Sequence, residues 1–278
     1  MGTEIEVSDL SFAYTDIPVL NHISLSIKKG SFTGIIGPNG TGKTTLLKNL
    51  LRLVRVNRDH IFIDQRDILD YSINEIARKM AYVKQRLEEN SIKVFDYILT
   101  GRAPYIKKYQ LFESEKDMQI ARQYLQLLEL EKFSNKCLDQ LSGGERQMVQ
   151  IARSLTQETP ILLLDEPTAH LDISHQIEIM NMLHEINETM NKTIIIVLHN
   201  LNLAGEYCDN LILLKEGEIY SNGQPDDVLT YENIEAVFDT LVIVKENPLS
   251  KRPYIIPVTR RMQKRTNFKN RSSGENYE

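Results

Sequence analysis

Gly37-Pro38-Asn39-Gly40-Thr41-Gly42-Lys43-Thr44 is the stretch on which the reading of this chain turns. It fits G-x-x-x-x-G-K-[ST], in which glycines let backbone N–H groups curl around phosphate oxygens. Phe32–Ile36 before it reads as a buried strand, and Lys43–Leu51 after it reads as a helix. That context matters because a helix starting near Lys43 adds the positive end of its dipole. Lys43 is expected to reach the outer phosphates as a point charge, and Thr44 to offer its hydroxyl to Mg²⁺. The candidate nucleotide contacts are therefore Gly37, Pro38, Asn39, Gly40, Thr41, Gly42, Lys43 and Thr44, together with Thr45.

Further along, Ile161-Leu162-Leu163-Leu164 is an apolar run with the length of a buried strand, and it ends in Asp165-Glu166. Such a strand delivers Asp165 to a metal ion, through water, because Mg²⁺ keeps much of its hydration shell. Glu166, one residue on, is placed to polarise an attacking water. Leu141-Ser142-Gly143-Gly144-Glu145 lies twenty residues before this strand. Ser142 and the two glycines are expected to open a helix over Glu145–Leu155, which makes a second anion-binding helix N-terminus. His199 follows the β-branched run Thr193–Val197, and Gln85 follows the apolar stretch Ala81–Val83.

Period-two alternation at Ile5 and Val7, then at Ile23, Leu25 and Ile27, indicates half-buried antiparallel strands. Ile61–Ile63 reads as another strand. From Arg86 to Gln140 the character changes: Val94–Gly101 and Ser114–Leu130 read as helices, the second opened by a Ser114–Asp117 capping box. Met118, Ala121, Leu125 and Leu128 recur there at helical spacing. A helix over Ser174–Met190, a hairpin turning at Lys215-Glu216-Gly217, a helix near Tyr231–Phe238 and a strand at Leu241–Val244 complete the pattern. The fold class is α/β: a core built on the glycine loop, an antiparallel β subdomain, and an inserted helical subdomain at about 86–150.

At 278 residues, with 41% hydrophobic and 26% charged residues, the composition is that of a soluble globular chain. No apolar run approaches the ~18 residues of a membrane span. Met1-Gly2-Thr3-Glu4 has no basic region followed by an apolar one, so no secretory signal is expected. Cys137 and Cys208 read as reduced thiols. Residues 260–278 hold six Lys or Arg against Glu275 and Glu278, within a chain of net charge −5. This basic segment reads as a solvated, disordered tail, or as one that touches anionic lipid headgroups. No basic aromatic groove suggests nucleic acid.

The order of these segments resembles the ATPase subunit of ATP-binding-cassette (ABC) transporters, over roughly residues 4 to 259. The resemblance implies a P-loop NTPase core and hydrolysis of ATP with Mg²⁺. It implies a head-to-tail homodimer, in which ATP lies between the glycine loop of one copy and the Ser142-Gly143-Gly144 segment of the other. In that family the histidine matching His199 contacts the γ-phosphate, the glutamine matching Gln85 touches Mg²⁺ and the attacking water, and the aromatic matching Tyr14 stacks on adenine. Ala169-His170-Leu171-Asp172 resembles the loop that meets the partner, with Asp172 as the residue carried over. Lys84 stands where many relatives have proline, and His22, His60, His170, His175 and His184 read as structural.

The resemblance narrows further. Gly101-Arg102-Ala103-Pro104-Tyr105 and Val197-Leu198-His199-Asn200-Leu201-Asn202-Leu203-Ala204 are similar to the importer branch for ferric siderophores, haem and cobalamin, which usually has aspartate at the position of Asn200. Zinc, manganese and molybdate importers have similar cassettes. A plainer reading of Gly101-Arg102-Ala103-Pro104 is a helix end, with Gly101 as its C-cap. The branch implies a separate permease, a separate substrate-binding protein, and a peripheral position on the cytoplasmic face of the membrane.

Overall fold

The computed structural model describes residues 3–85, 91–106 and 113–259. The chain opens with β1 (Thr3–Ala13), β2 (Pro18–Lys28) and β3 (Phe32–Ile36), then α1 (Lys43–Leu50). β4 (Ile61–Ile63), β5 (Arg66–Asp67), α2 (Ile73–Lys79) and β6 (Met80–Val83) follow. Two helices, α3 (Val94–Leu99) and α4 (Glu115–Leu127), precede α5 (Gly143–Thr156). Then β7 (Ile161–Asp165), α6 (Ile173–Met190), β8 (Thr193–Val197) and α7 (Leu201–Tyr207) alternate. The chain ends in β9 (Asn210–Lys215), β10 (Glu218–Gly223), α8 (Pro225–Val228), α9 (Tyr231–Phe238) and the pair β11 (Val242–Glu246) and β12 (Pro253–Pro257).

The strands that carry the motifs form one six-stranded sheet in the order β10-β9-β3-β8-β7-β6. All its neighbouring pairs are parallel except β10 with β9. Parallel strands are covered on both faces, so β3, β7 and β8 are buried at every position and read as continuous apolar runs. Alternate side chains still go to opposite sides. Ile161, Leu163, Ile195 and Val197 pack with α1 and a second, four-stranded antiparallel sheet, β2-β1-β4-β5. Leu162, Leu164, Ile194 and Ile196 face the helices, in a cluster that runs on through α3, α4 and α5. The hairpin between β9 and β10 turns where Glu216 and Gly217 both take positive φ, 49° and 84°, as a tight two-residue hairpin turn requires.

The helical segment is held by polar clamps as well as apolar packing. Ser114 caps α4 through a reciprocal box with Asp117. The expected stripe at Met118, Ala121, Leu125 and Leu128 is joined on the buried face by Ile120 and Tyr124, while Met118 is only partly buried. The helix expected over Val94–Gly101 ends at Leu99 and continues as a 3-10 turn over Thr100–Tyr105 that contains Pro104. Gly101 is therefore no C-cap. It is a point of close backbone approach to α5, where an added Cβ would sit 2.2 Å from the Arg153 carbonyl oxygen. Arg102 is buried, its Nε donating to Asp117 at 2.8 Å and its guanidinium also donating to the Thr156 carbonyl at 2.9 Å.

Because backbone cannot yield as a flexible side chain does, Gly101→Ala should destabilise the fold by about 1–3 kcal/mol. Denaturant unfolding checks this, and a wild-type midpoint would contradict the close packing of this turn on α5.

Candidate ATP site

Four adjacent parallel strands, β3, β8, β7 and β6, end at one edge of the sheet. Beyond their C-terminal ends lie, in the same order, the glycine loop, His199, Asp165 with Glu166, and Gln85. The loop takes its shape from glycine conformations: φ is 147° at Gly37, 81° at Gly40 and 94° at Gly42. A Cβ at Gly42 would meet the Leu20 side chain and the Val19 carbonyl within 2.8 Å, whereas one at Gly40 would enter open space. Lys43 is buried, and its Nζ donates to the carbonyls of Gly37 and Pro38 at 2.8 and 2.7 Å. Burial pushes its pKa down, against the opposing pull of Glu166 and Asp165. A buried cation with only carbonyl acceptors in hand is suited to an incoming polyanion.

The acids sit opposite. Thr44 Oγ1 donates to Asp165 Oδ1 at 2.9 Å, and the Tyr82 hydroxyl donates to Oδ2 at 3.2 Å. Burial raises the Asp165 pKa despite these two bonds, and the neighbouring Glu166 charge raises it further. Thr44 and Asp165 thus bring hard oxygen donors together, the donor chemistry that suits Mg²⁺, with room left for phosphate oxygens and water. Glu166 is gripped from both sides: Gln85 Nε2 donates to Oε2 at 2.5 Å, and His199 Nε2 lies 2.5 Å from Oε1. Its backbone is in the left-handed region, φ 51°, a costly conformation outside glycine that is retained where surrounding contacts enforce it.

Glu166 lines two cavities. One, of 230 Å³, is walled by Val19, Gly40, Gly42, Lys43 and Thr44. The other, of 570 Å³, is walled by Asn39, Gln85, His170, His199 and Asn200. Neither is lined by Ser142, Gly143, Gly144 or Asp172. Those residues form a separate patch. Ser142 caps α5 through a reciprocal box with Glu145, and Asp172 caps α6 by accepting from the His175 N–H at 2.9 Å. His175, read from sequence as structural, contacts the same carboxylate through Nδ1 at 2.9 Å and packs on Gly144. Tyr14 is 55% exposed, set edge-on to Phe12 at 4.9 Å. Val19 and Tyr82 were not legible as site residues. Both reach the site only through strand neighbours, and a local motif carries no such signal.

Residues 20–169 match the family described as ABC transporter. The chain belongs to the ABC transporter family. The ferric enterobactin transport ATP-binding protein of Escherichia coli is 36% identical over 252 residues, which cover 90% of this chain and 93% of that protein. An ABC transporter of metal-chelate type, solved in an inward-facing conformation, superposes with a TM-score of 0.82 at 26% identity, over 94% of this chain and 100% of its own. A dimeric ATP-binding cassette in a post-hydrolysis state bound to ADP and Pi superposes with a TM-score of 0.68 at 29% identity, over 79% of this chain and 98% of its own. The fold is thus that of an ABC ATPase, and this ABC protein binds and hydrolyses ATP. Among its described residues no helix is long and apolar enough to cross a membrane.

Lys43→Ala removes the one lysine in the loop from a site that must hold several phosphate charges. It should weaken ATP binding and abolish turnover, measured by titrating a fluorescent ATP analogue with Mg²⁺ and by phosphate release. Wild-type affinity together with wild-type hydrolysis would remove Lys43 from the site.

Proposed function

We propose that this protein is the ATP-hydrolysing subunit of an importer for an iron chelate, haem or cobalamin, working beneath a separate permease that receives ligand from a separate binding protein. The observation that carries the reaction is the grip on Glu166 by Gln85 and His199 beside the buried Lys43. The support for the cargo is the similarity to an enterobactin transport subunit and a metal-chelate type transporter. Residues 1–259 form the ATPase domain in this reading. The basic segment 260–278 lies outside the described residues, and its proposed place is near the cytoplasmic face of the membrane.

In the proposed reaction the loop amides of 37–44 and the Lys43 charge hold the phosphates, Thr45 continues that contact, and Tyr14 offers its exposed ring to adenine. Glu166 takes a proton from the water that attacks the terminal phosphorus, as the bond to the bridging oxygen breaks. Gln85 and His199 fix the carboxylate and the water. Thr44, Asp165 and Gln85 would hold Mg²⁺, which would neutralise phosphate charge when bound. Ser142, Gly143, Gly144 and Asp172 line neither cavity, so they act on the ATP of a second copy in a head-to-tail dimer. Such a dimer closes on ATP and reopens after hydrolysis, which moves the permease.

Glu166→Gln keeps the shape and removes the base, a loss of roughly 10²–10⁴ in rate. ATP should then trap a closed dimer that ADP does not, read by light scattering at micromolar protein. A variant that stays monomeric with both nucleotides would overturn the shared site.

A deletion strain should lose growth when a ferric siderophore, haem or cobalamin is limiting. The intact gene should restore growth and Glu166→Gln should not. Unimpaired uptake of all three, in a strain with no duplicate ATPase, would redirect the cargo to zinc, manganese or molybdate.

A further inference from the structure

Gln150 lies in the middle of α5, eight residues after Ser142, and is 3% exposed. Its Nε2 donates to the carbonyl of Lys84 at 2.9 Å. One turn on, Ser154 Oγ approaches the Tyr82 carbonyl at 3.4 Å. α5 thus grips the end of β6 and the residue just beyond it from the side. Lys84 immediately precedes Gln85, whose amide reaches Glu166. Both Lys84 and Gln85 are exposed, and β6 ends at Val83, so the sheet no longer holds them. Lys84 is therefore held by an α5 side chain rather than by a strand ladder.

The other half of the Gln150 amide is informative. Among the described residues its Oε1 is buried without a hydrogen-bond partner. A buried acceptor left unpaired is unfavourable, and an apolar side chain of similar size would avoid that cost. Stability alone gives no reason to keep glutamine here, whereas the bond to Lys84 does.

We infer that Gln150 is a positioning residue for hydrolysis: it holds the Lys84 backbone so that Gln85 presents its amide to Glu166. The inference rests on the reading of Glu166 as the base. It also gives a mechanical route between the two surfaces of one chain. α5 begins at the Ser142-Gly143-Gly144 patch and reaches, through Gln150, Lys84 and Gln85, the carboxylate of its own site. A displacement of α5 when a second copy binds at its N-terminus is carried as a shift of Gln85 against Glu166.

Gln150→Leu separates positioning from packing, because it removes the donor and the unpaired acceptor together while filling similar space. Expected are a kcat for ATP lowered about tenfold, the worth of one hydrogen bond expressed in the transition state, a KM for ATP within twofold of wild type, and a melting temperature unchanged or raised. Gln85→Ala in the same assay should be as slow, and the double variant no slower than Gln85→Ala, since both act through one contact. Wild-type kcat in Gln150→Leu would overturn the inference, and so would losses in the double variant that multiply. A lowered kcat that comes with a lowered melting temperature would assign Gln150 to packing, and so overturn it too. Glu166→Gln run alongside keeps the two readings apart. If it turns over normally, the base assignment has failed. If it is inactive while Gln150→Leu is normal, only the positioning role has failed.

Discussion

Adjacency of four parallel strands is the constraint on which the site depends. β3, β8, β7 and β6 lie side by side, in register from Phe32 with Ile194, Ile161 with Thr193, and Met80 with Ile161. Their C-terminal ends therefore meet at one edge, where α/β sheets bind ligands. Lys43, His199, Glu166 and Gln85 come from segments up to 156 residues apart. None of them could be placed by local structure alone. The strands in turn are fixed by burial on both faces, so a slip of one residue would exchange Leu163 and Leu164 between two different clusters.

The phosphate-binding parts were legible because their chemistry is local. A glycine loop must be bracketed by a strand and a helix, and an apolar strand that ends in two acids must project them at its end. What the sequence could not display is what depends on neighbours across the sheet. Tyr82 supports Asp165 only because β6 pairs with β7, and Val19 walls the loop only because β2 passes behind Gly42. The helix ends were harder for another reason. Val94–Leu99 passes into a 3-10 turn without a stop signal, and Gly101 there serves close packing rather than a left-handed cap. The contact of His175 with Asp172, which sets the ring against Gly144, is one that no spacing rule anticipates.

The site also shows how charge is managed before nucleotide arrives. Asp165, Glu166 and Lys43 share one edge of the protein, two of them buried. Hydrogen bonds from Thr44 and Tyr82 do not offset the burial of Asp165, and burial outweighs the acids' pull on Lys43. Both shifts point the same way: the ionised forms are under-solvated, and each gains from a partner of opposite charge. In the proposed site, phosphate would be that partner for the lysine and a divalent cation for the aspartate. On that proposal, a metal–nucleotide pair would relieve two burial costs at once, which a lone phosphate or a lone cation would not do.

In the segment Gly101-Arg102-Ala103-Pro104-Tyr105, one of the stretches similar to a single importer branch, Gly101 and Arg102 are buried while Ala103 is exposed. Arg102 is 4% exposed, paired with Asp117 at the start of α4 and with the Thr156 carbonyl at the end of α5, and its guanidinium stacks 4.0 Å from the Tyr105 ring. A guanidinium so enclosed does not itself touch a permease. The same residue also meets Glu158, which is 42% exposed and so adds less than the buried pair. Breaking the buried pair would leave the guanidinium with only the more exposed Glu158 as its counter-charge. Arg102 thus ties the start of α4 to the end of α5. The same α5 bears the Ser142 cap at one end and Arg102's carbonyl partner at the other, with the Gln150 contact between them, so all three bear on a single helix.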